Sequence, residues 1–211
     1  EFFFNSDVFF HLVRNTVLNI VLFIVTGMFF AVMVAILLFE LKRRTSTKVF
    51  QTLMITPHFM SWVVAAYMVY AILNPTYGYL NQLLGVFGVK SIDWYSKPNA
   101  WPLILTIVSI WKHVGMDCVY YYASLMSIDT SLFEAAEIDG ANRFQRIIYI
   151  VIPSLVPLIT VLGIMKIGSI FAADFGLFYN VTRNVGLLYE TTDVFDTYIF
   201  RMVREIGDMG L

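Results

Sequence analysis

The side chains able to do chemistry interrupt stretches that are otherwise apolar. Lys112, His113, Asp117 and Tyr121 fall in one such stretch, Lys166 and Asp174 in another. His113, Asp117 and Tyr121 follow at i, i+4 and i+8, so a helix carries them on nearly one face, with Trp111, Tyr120 and Tyr122 beside them. That surface suits a sugar route, because hydroxyls need polar partners and pyranose rings offer apolar faces to aromatic side chains. The same residues admit other readings. Lys112 or Lys166 paired with Asp117 or Asp174 would neutralise charge between helices, or would couple ions to transport in a secondary transporter or channel. Asp117 and Asp174 as a carboxylate dyad would serve an intramembrane aspartyl protease, although neither lies in a GxGD-like setting. No metal site is expected, since His11, His58 and His113 are far apart and no HExxH occurs. Gly163 and Gly168 have the first spacing of a P-loop, but Ser169-Ile170 follows where Lys-Ser/Thr is required, so this chain has no nucleotide or other cofactor motif.

The elements that position these residues are membrane helices. The 211 residues are 59% hydrophobic and only 14% charged, against about 25% charged in a soluble domain. The net charge of -1 gives no reason to expect nucleic acid as a partner. The single cysteine, Cys118, excludes an internal disulfide. By length the chain is one domain, residues 1–211. A spanning helix needs about 20 mostly apolar residues. Four candidates meet that need: Asn15 to Phe39; Val49 to Leu73 with a kink at Pro57; Trp101 to Met126; and Pro153 to Tyr179 with Lys166 and Asp174 inside it. The uncharged runs exceed the roughly 10-residue segments of a membrane barrel, so the fold class is all-α, a polytopic helical bundle.

Lys42, Arg43, Arg44 and Lys48 form the densest basic cluster, which places residues 40–48 in the cytoplasm. Alternation then puts 74–100 outside, 127–152 inside and both ends outside. The orientation rests on that cluster, because Lys and Arg are as many outside as inside overall. Gly27, Ala31 and Ala35, and again Gly168, Ala172 and Gly176, recur at helical spacing and let helix backbones approach closely.

The loop 127–152 has the most definite local pattern. Ser131 and Glu134 stand at capping-box spacing, with Asp129 and Thr130 as competing N-caps. Ala135 and Ala136 favour helix, Gly140 ends it with a backbone angle that costs a Cβ-bearing residue strain, and Asn142 caps a second short helix leading to Pro153. A short helix with small apolar residues and acidic flanks suits a groove on a soluble partner; a helix lying in the interface as a connector fits the same pattern.

Glu134-Ala135-Ala136, three residues, Gly140, nine residues, then Ile150-Val151-Ile152-Pro153 resembles the EAA loop of permease subunits of binding-protein-dependent ABC importers, with Ile152 where Leu usually precedes the proline. Pro57 to Val64, Lys166 to Ser169 and Leu188 to Arg201 resemble the polysaccharide and oligosaccharide branch, relatives of the maltose permeases. The resemblance implies a type I importer permease in the bacterial cytoplasmic membrane, multi-pass, with a cytoplasmic coupling helix. Glu134, Ala135, Ala136, Asp139, Gly140, Ile150 and Pro153 would couple to the ATPase. It implies these partners: a second homologous permease, two cytoplasmic ABC ATPases that hold ATP and Mg, an extracellular solute-binding protein, a carbohydrate and membrane lipid. The chain itself would be a non-catalytic transport subunit, with His113, Asp117, Tyr121, Lys166 and Asp174 along the substrate route. The loop 74–100, with Asn81-Gln82 and Asp93-Trp94-Tyr95, is either the binding protein's contact or a solvated connector. Six membrane helices are usual in such subunits, so the resemblance also suggests a chain lacking the first and last.

Overall fold

The computed structural model describes residues 7–41 and 43–206; Lys42 of the basic cluster and the closing residues 207–211 lie outside them. All regular structure among the described residues is helical. In chain order come α1 (Asp7–Phe39), α2 (Arg44–Ile55), a 3-10 turn (Thr56–Phe59), α3 (Trp62–Leu73), α4 (Tyr79–Val86), α5 (Trp101–Leu125), α6 (Thr130–Ile138), α7 (Arg143–Arg146), α8 (Ile152–Gly168), α9 (Tyr189–Thr192) and α10 (Phe195–Arg201). Three stretches, Val8–Phe39, Pro98–Leu125 and Arg143–Gly168, are long and apolar enough to cross a bilayer, or four if Thr45–Phe59 and Trp62–Leu73 make one broken span. From Leu18 onward the exposed residues of α1, among them Leu18, Leu22, Val25, Phe29, Met33 and Leu37, are themselves apolar, so the outer side of this part of the helix suits lipid.

Three of the expected helices differ from their sequence reading: the first starts at Asp7 rather than Asn15, and the second and fourth differ more deeply. The second starts earlier, at Arg44, and is broken rather than kinked. Pro57 lacks the N–H that would continue the ladder, the chain tightens into the 3-10 turn, and Ser61 caps a new helix by accepting from the Val64 N–H at 3.3 Å. The fourth ends at Gly168, not Tyr179. Gly168-Ser169 is a poor helical pair, and Asp174 starts a fresh turn by accepting from the Leu177 N–H at 3.3 Å, ahead of a π-helical turn, Leu177–Val181. Gly168, Ala172 and Gly176 therefore do not form one stripe.

The described residues fall into two compact units, 7–23, 60–109 and 169–206 in one, 24–41, 43–59 and 110–168 in the other; α1 and α5 contribute to both. The first has a core of Ala66, Val69, Leu105, Leu177, Phe178, Val181 and Leu188 around the fully buried Trp101. Polar groups close it. On α1, the Asn15 amide donates to the carbonyls of Tyr189 (3.4 Å) and Glu190 (3.0 Å), and the Asn19 amide to that of Thr191 (3.0 Å). Asp193 pairs with Arg201 and accepts from the Thr197 hydroxyl at 2.8 Å, while Asp196 accepts from the Ala173 N–H at 3.0 Å. The stretch Leu188 to Arg201 is thus tied both within itself and to α1 and Ala173.

In the second unit Ala31, Ala35 and Leu38 of α1 pack with Cys118, Tyr121 and Leu125 of α5 and with Val151 and Leu155. Here Ala31 and Ala35 of α1 do allow close approach, both being fully buried, whereas a Cβ added at Gly27, the third residue of that stripe, would meet nothing. Gly115 permits another: a Cβ there would collide with the Met54 backbone carbonyl. Gly115→Ala should therefore destabilise the protein by about 1–3 kcal/mol, whereas Gly85→Ala, whose Cβ would meet nothing, should be neutral or slightly stabilising. Thermal unfolding of both variants in detergent checks the contrast.

Candidate functional site

Helix α6 is bounded on both sides by strong local signals. Asp129 is the N-cap, accepting from the Ser131 N–H at 2.9 Å, so of the competing caps it is the one used. At the other end the Ala141 N–H donates to the Ala136 carbonyl (2.8 Å) and the Gly140 N–H to that of Glu137 (3.1 Å), the double bond of a Schellman motif. Gly140 takes the left-handed angle this requires, φ +74, which would cost another residue about 1–2 kcal/mol. Asn142 then forms a full capping box with Gln145, at 2.9 and 2.8 Å. Phe133 holds α6 to its unit, its ring 5.8 Å from that of Phe39. Glu134, Ala135, Asp139 and Gly140 are exposed, Ala136 partly so, and Ile138 is 86% exposed. Glu134 makes no ion pair among the described residues. Ile150 lies in a π-helical turn, Ile147–Val151, just before Pro153. That proline's missing N–H leaves the Tyr149 carbonyl without its usual helical donor, which favours the wider turn.

Asp117, half-buried, pairs with Lys166 at 2.9 Å, so the structure realises one of the four pairings open from sequence. The His113 ring lies 5.6 Å from that of His58. Lys112 is buried, its ammonium donating to the carbonyls of Pro57 (3.3 Å) and His58 (3.1 Å). This clamp on the broken span was not legible from the sequence, where Lys112 was only a charge needing an interior partner. Tyr121 is 1% exposed and packed among core side chains, its hydroxyl without a hydrogen-bond partner among the described residues. Asp174 belongs to the other unit, as the cap described above. Among the described residues no group of three His, Cys, Asp or Glu could hold a metal ion.

Residues 24–203 match the model of the binding-protein-dependent transport system inner membrane component family. The chain belongs to that family. It is thus a bacterial inner-membrane protein, and the helical architecture expected from sequence holds. It is 30% identical over 200 residues to the polygalacturonan/rhamnogalacturonan transport system permease protein YteP of Bacillus subtilis, a match covering 93% of this chain and 61% of that one. It also superposes, with a TM-score of 0.91 and 32% identity, on a crystal structure of a bacterial ABC transporter involved in the import of the acidic polysaccharide alginate, covering 97% of this chain and 71% of the other. A second structure has the bacterial alginate transporter in complex with an alginate pentasaccharide-bound periplasmic protein (TM-score 0.90, 32% identity, 97% and 70% covered). The chain spans about three-fifths of the length of such curated relatives.

The cap of α6 titrates. Hydrogen bonds from the Ser131 N–H first, and then its hydroxyl, hold the Asp129 carboxyl below the usual aspartate range. Its contribution is complete above the unfolded value of about 3.9 and is lost as pH falls through the lower folded value. The Ser131 amide resonance should therefore titrate below about pH 3.9, and Asp129→Asn, which keeps a capping oxygen, should abolish that titration without melting α6. For Tyr121, Ala should cost about 3–5 kcal/mol by emptying the core, whereas Phe, which removes only an unsatisfied hydroxyl, should be neutral or stabilise by about 1 kcal/mol; denaturant titration separates the two.

Proposed function

We propose that this chain is the permease subunit of an ATP-driven importer that moves an oligosaccharide or polysaccharide fragment across the cytoplasmic membrane by alternating access. The observation that carries this reading is α6, a rigidly capped helix whose Glu134, Ala135, Asp139 and Ile138 face outward at the spacing of an EAA loop. Ala135 and Ile138 offer apolar contact of the kind a groove accepts, and Glu134 offers a carboxylate to a basic residue. The partner is a pair of cytoplasmic ABC ATPases holding ATP and Mg. A second homologous permease completes the bundle, and an extracellular solute-binding protein delivers the sugar. The names of YteP and of the alginate transporter support a saccharide cargo.

Within the membrane, the Asp117–Lys166 pair and His113 border the route. Lys166 and Asp117 keep 38% and 24% of their side chains accessible, and charged groups left accessible in a membrane protein face water or another subunit rather than lipid. Tyr121 stands apart from this route because it is packed within its own unit, and Asp174 because it caps a turn. ATP-driven closure would draw the coupling helices together and rock the route from inward-facing to outward-facing.

Glu134→Lys reverses the charge offered to the ATPase, and Gly140→Asp adds strain and charge at the end of α6. Each should leave the bundle folded and weaken ATPase retention or uncouple hydrolysis from uptake, by roughly 10-fold for loss of a charge-assisted contact. Copurification and proteoliposome uptake read both effects. Wild-type retention and uptake in both variants, or uptake driven by an ion gradient without ATPase, would remove the basis of the proposal.

A further inference from the structure

The first unit contains a cavity of about 230 Å³ between α3 and the segment 179–184, lined by Tyr67, Tyr70, Tyr179, Asn180, Arg183 and Asn184. None of these residues has a part in the function assigned above. The walls are built rather than incidental. The Tyr70 ring is held edge-on by Tyr95 at 5.8 Å, and Tyr95, itself stacked obliquely on Trp101 at 4.9 Å, donates its hydroxyl to the Val181 carbonyl. Tyr179 is stacked on Phe175 at 5.0 Å. The Asn180 amide nitrogen donates to the Gly176 carbonyl at 3.1 Å, which leaves its oxygen as an acceptor. The Asn184 side chain accepts from the Tyr189 hydroxyl at 2.9 Å.

Among the described residues Arg183 is the one cation lining this cavity. Its guanidinium lies 4.0 Å over the Tyr70 ring, and no carboxylate among the described residues is within ion-pair reach. Both Arg183 (φ 57) and Asn184 (φ 51) are in the left-handed region, with the Val185 N–H donating back to the Thr182 carbonyl at 3.3 Å. Glycine is the undemanding choice for such a tight turn. Arginine there keeps strain in the fold, and strained backbone of this kind collects where a side chain is needed in a fixed place. With its face against Tyr70, the guanidinium still has its edge to offer, and that edge matches a carboxylate bidentately.

We infer that this cavity is a binding subsite for one uronate residue of a saccharide chain, its ring against the tyrosine faces and its carboxylate on Arg183. The volume falls below the about 300–1,000 Å³ of pockets that enclose drug-sized ligands, so it suits one sugar ring with the rest of the chain running out past Tyr67, which is 71% exposed. The inference rests on the importer reading and narrows its cargo to acidic saccharides. It also places the subsite beside the loop 74–100, the side from which the cargo would enter.

The test uses the assembled permease–ATPase complex in detergent, with trigalacturonate and its neutral methyl ester as probes in calorimetric titrations. Arg183→Gln should weaken trigalacturonate binding roughly 10-fold or more while changing the methyl ester by less than about twofold; Arg183→Lys should fall between; Tyr67→Ala should weaken both probes. Absence of trigalacturonate binding by the wild type would overturn the subsite. So would an Arg183→Gln variant that leaves it unchanged or weakens both probes equally, or displacement by sn-glycerol 3-phosphate as readily as by galacturonate. Should Arg183→Gln fail to assemble, Tyr67→Ala decides, because its side chain is on the open rim, and unchanged affinity for both probes overturns the subsite. Proteoliposome uptake separates the two levels: ATP-driven saccharide uptake that ignores Arg183→Gln sinks the subsite and spares the importer, whereas no ATP-driven uptake of any saccharide sinks the importer while the titrations still judge the cavity.

Discussion

In hydrocarbon no water is available to a backbone group that has lost its helical partner, and each one left bare costs several kcal/mol. This chain nevertheless interrupts its helices near Pro57 and after Gly168. It can do so because side chains supply the missing partners. Lys112 donates to the carbonyls that the Thr56–Phe59 turn leaves open, and Ser61 accepts from the Val64 N–H in the first turn of α3. Asp174 and Asp196 do the same for Leu177 and Ala173. The polar residues scattered through the apolar stretches are in large part the internal partners of an irregular backbone.

That explains which features were legible in the sequence. Helix existence follows from long uncharged runs, and the end of α6 at Gly140 and the start of α7 at Asn142 follow from local capping chemistry, whereas the Ser131–Glu134 capping-box spacing misplaces the start of α6, which Asp129 caps with Ser131 already inside the helix. The breaks at Met60–Ser61 and after Gly168 were not readable as such. A proline or a Gly-Ser pair in an apolar run signals a kink as well as a full break, and what decides is a distant side chain, such as Lys112, more than fifty positions from Pro57. The role of Asn15 and Asn19 was hidden for the same reason, since their partners are the carbonyls of residues 189–191. Arg183 carried no signal at all, because nothing in Val-Thr-Arg-Asn-Val announces a left-handed pair.

The two lysines of the apolar stretches show why intramembrane charge needs to be sorted by environment. Lys112 is almost wholly buried, and it meets the dipoles of carbonyls at a helix end, where a cation is favoured. Such an arrangement stabilises the fold and leaves little for a ligand to exploit. Lys166 meets Asp117 while both remain partly accessible. A pair in that setting is worth less to stability, because solvent screens it, and it remains open to exchange partners. Residue type alone would have treated the two lysines alike; the carbonyls around one and the accessibility of the other separate a structural clamp from a candidate for the route.

Helix α6 obeys a different demand. In the proposed function α6 transmits force between subunits, and a part with that role must not melt when pulled, yet a nine-residue helix is too short to be stable in water by itself. The N-cap of Asp129, the Schellman close at Gly140 and the Phe133 anchor each remove one route of fraying. With the helix fixed in this way, whatever free energy a partner gains on its exposed side is delivered to the bundle as displacement rather than spent on ordering the helix. Coupling between sites requires that kind of element, one whose position rather than whose shape responds to the ligand. The conspicuously exposed Ile138, 86% accessible, fits the proposed role, since an apolar side chain so little used by its own fold is left for a partner to cover.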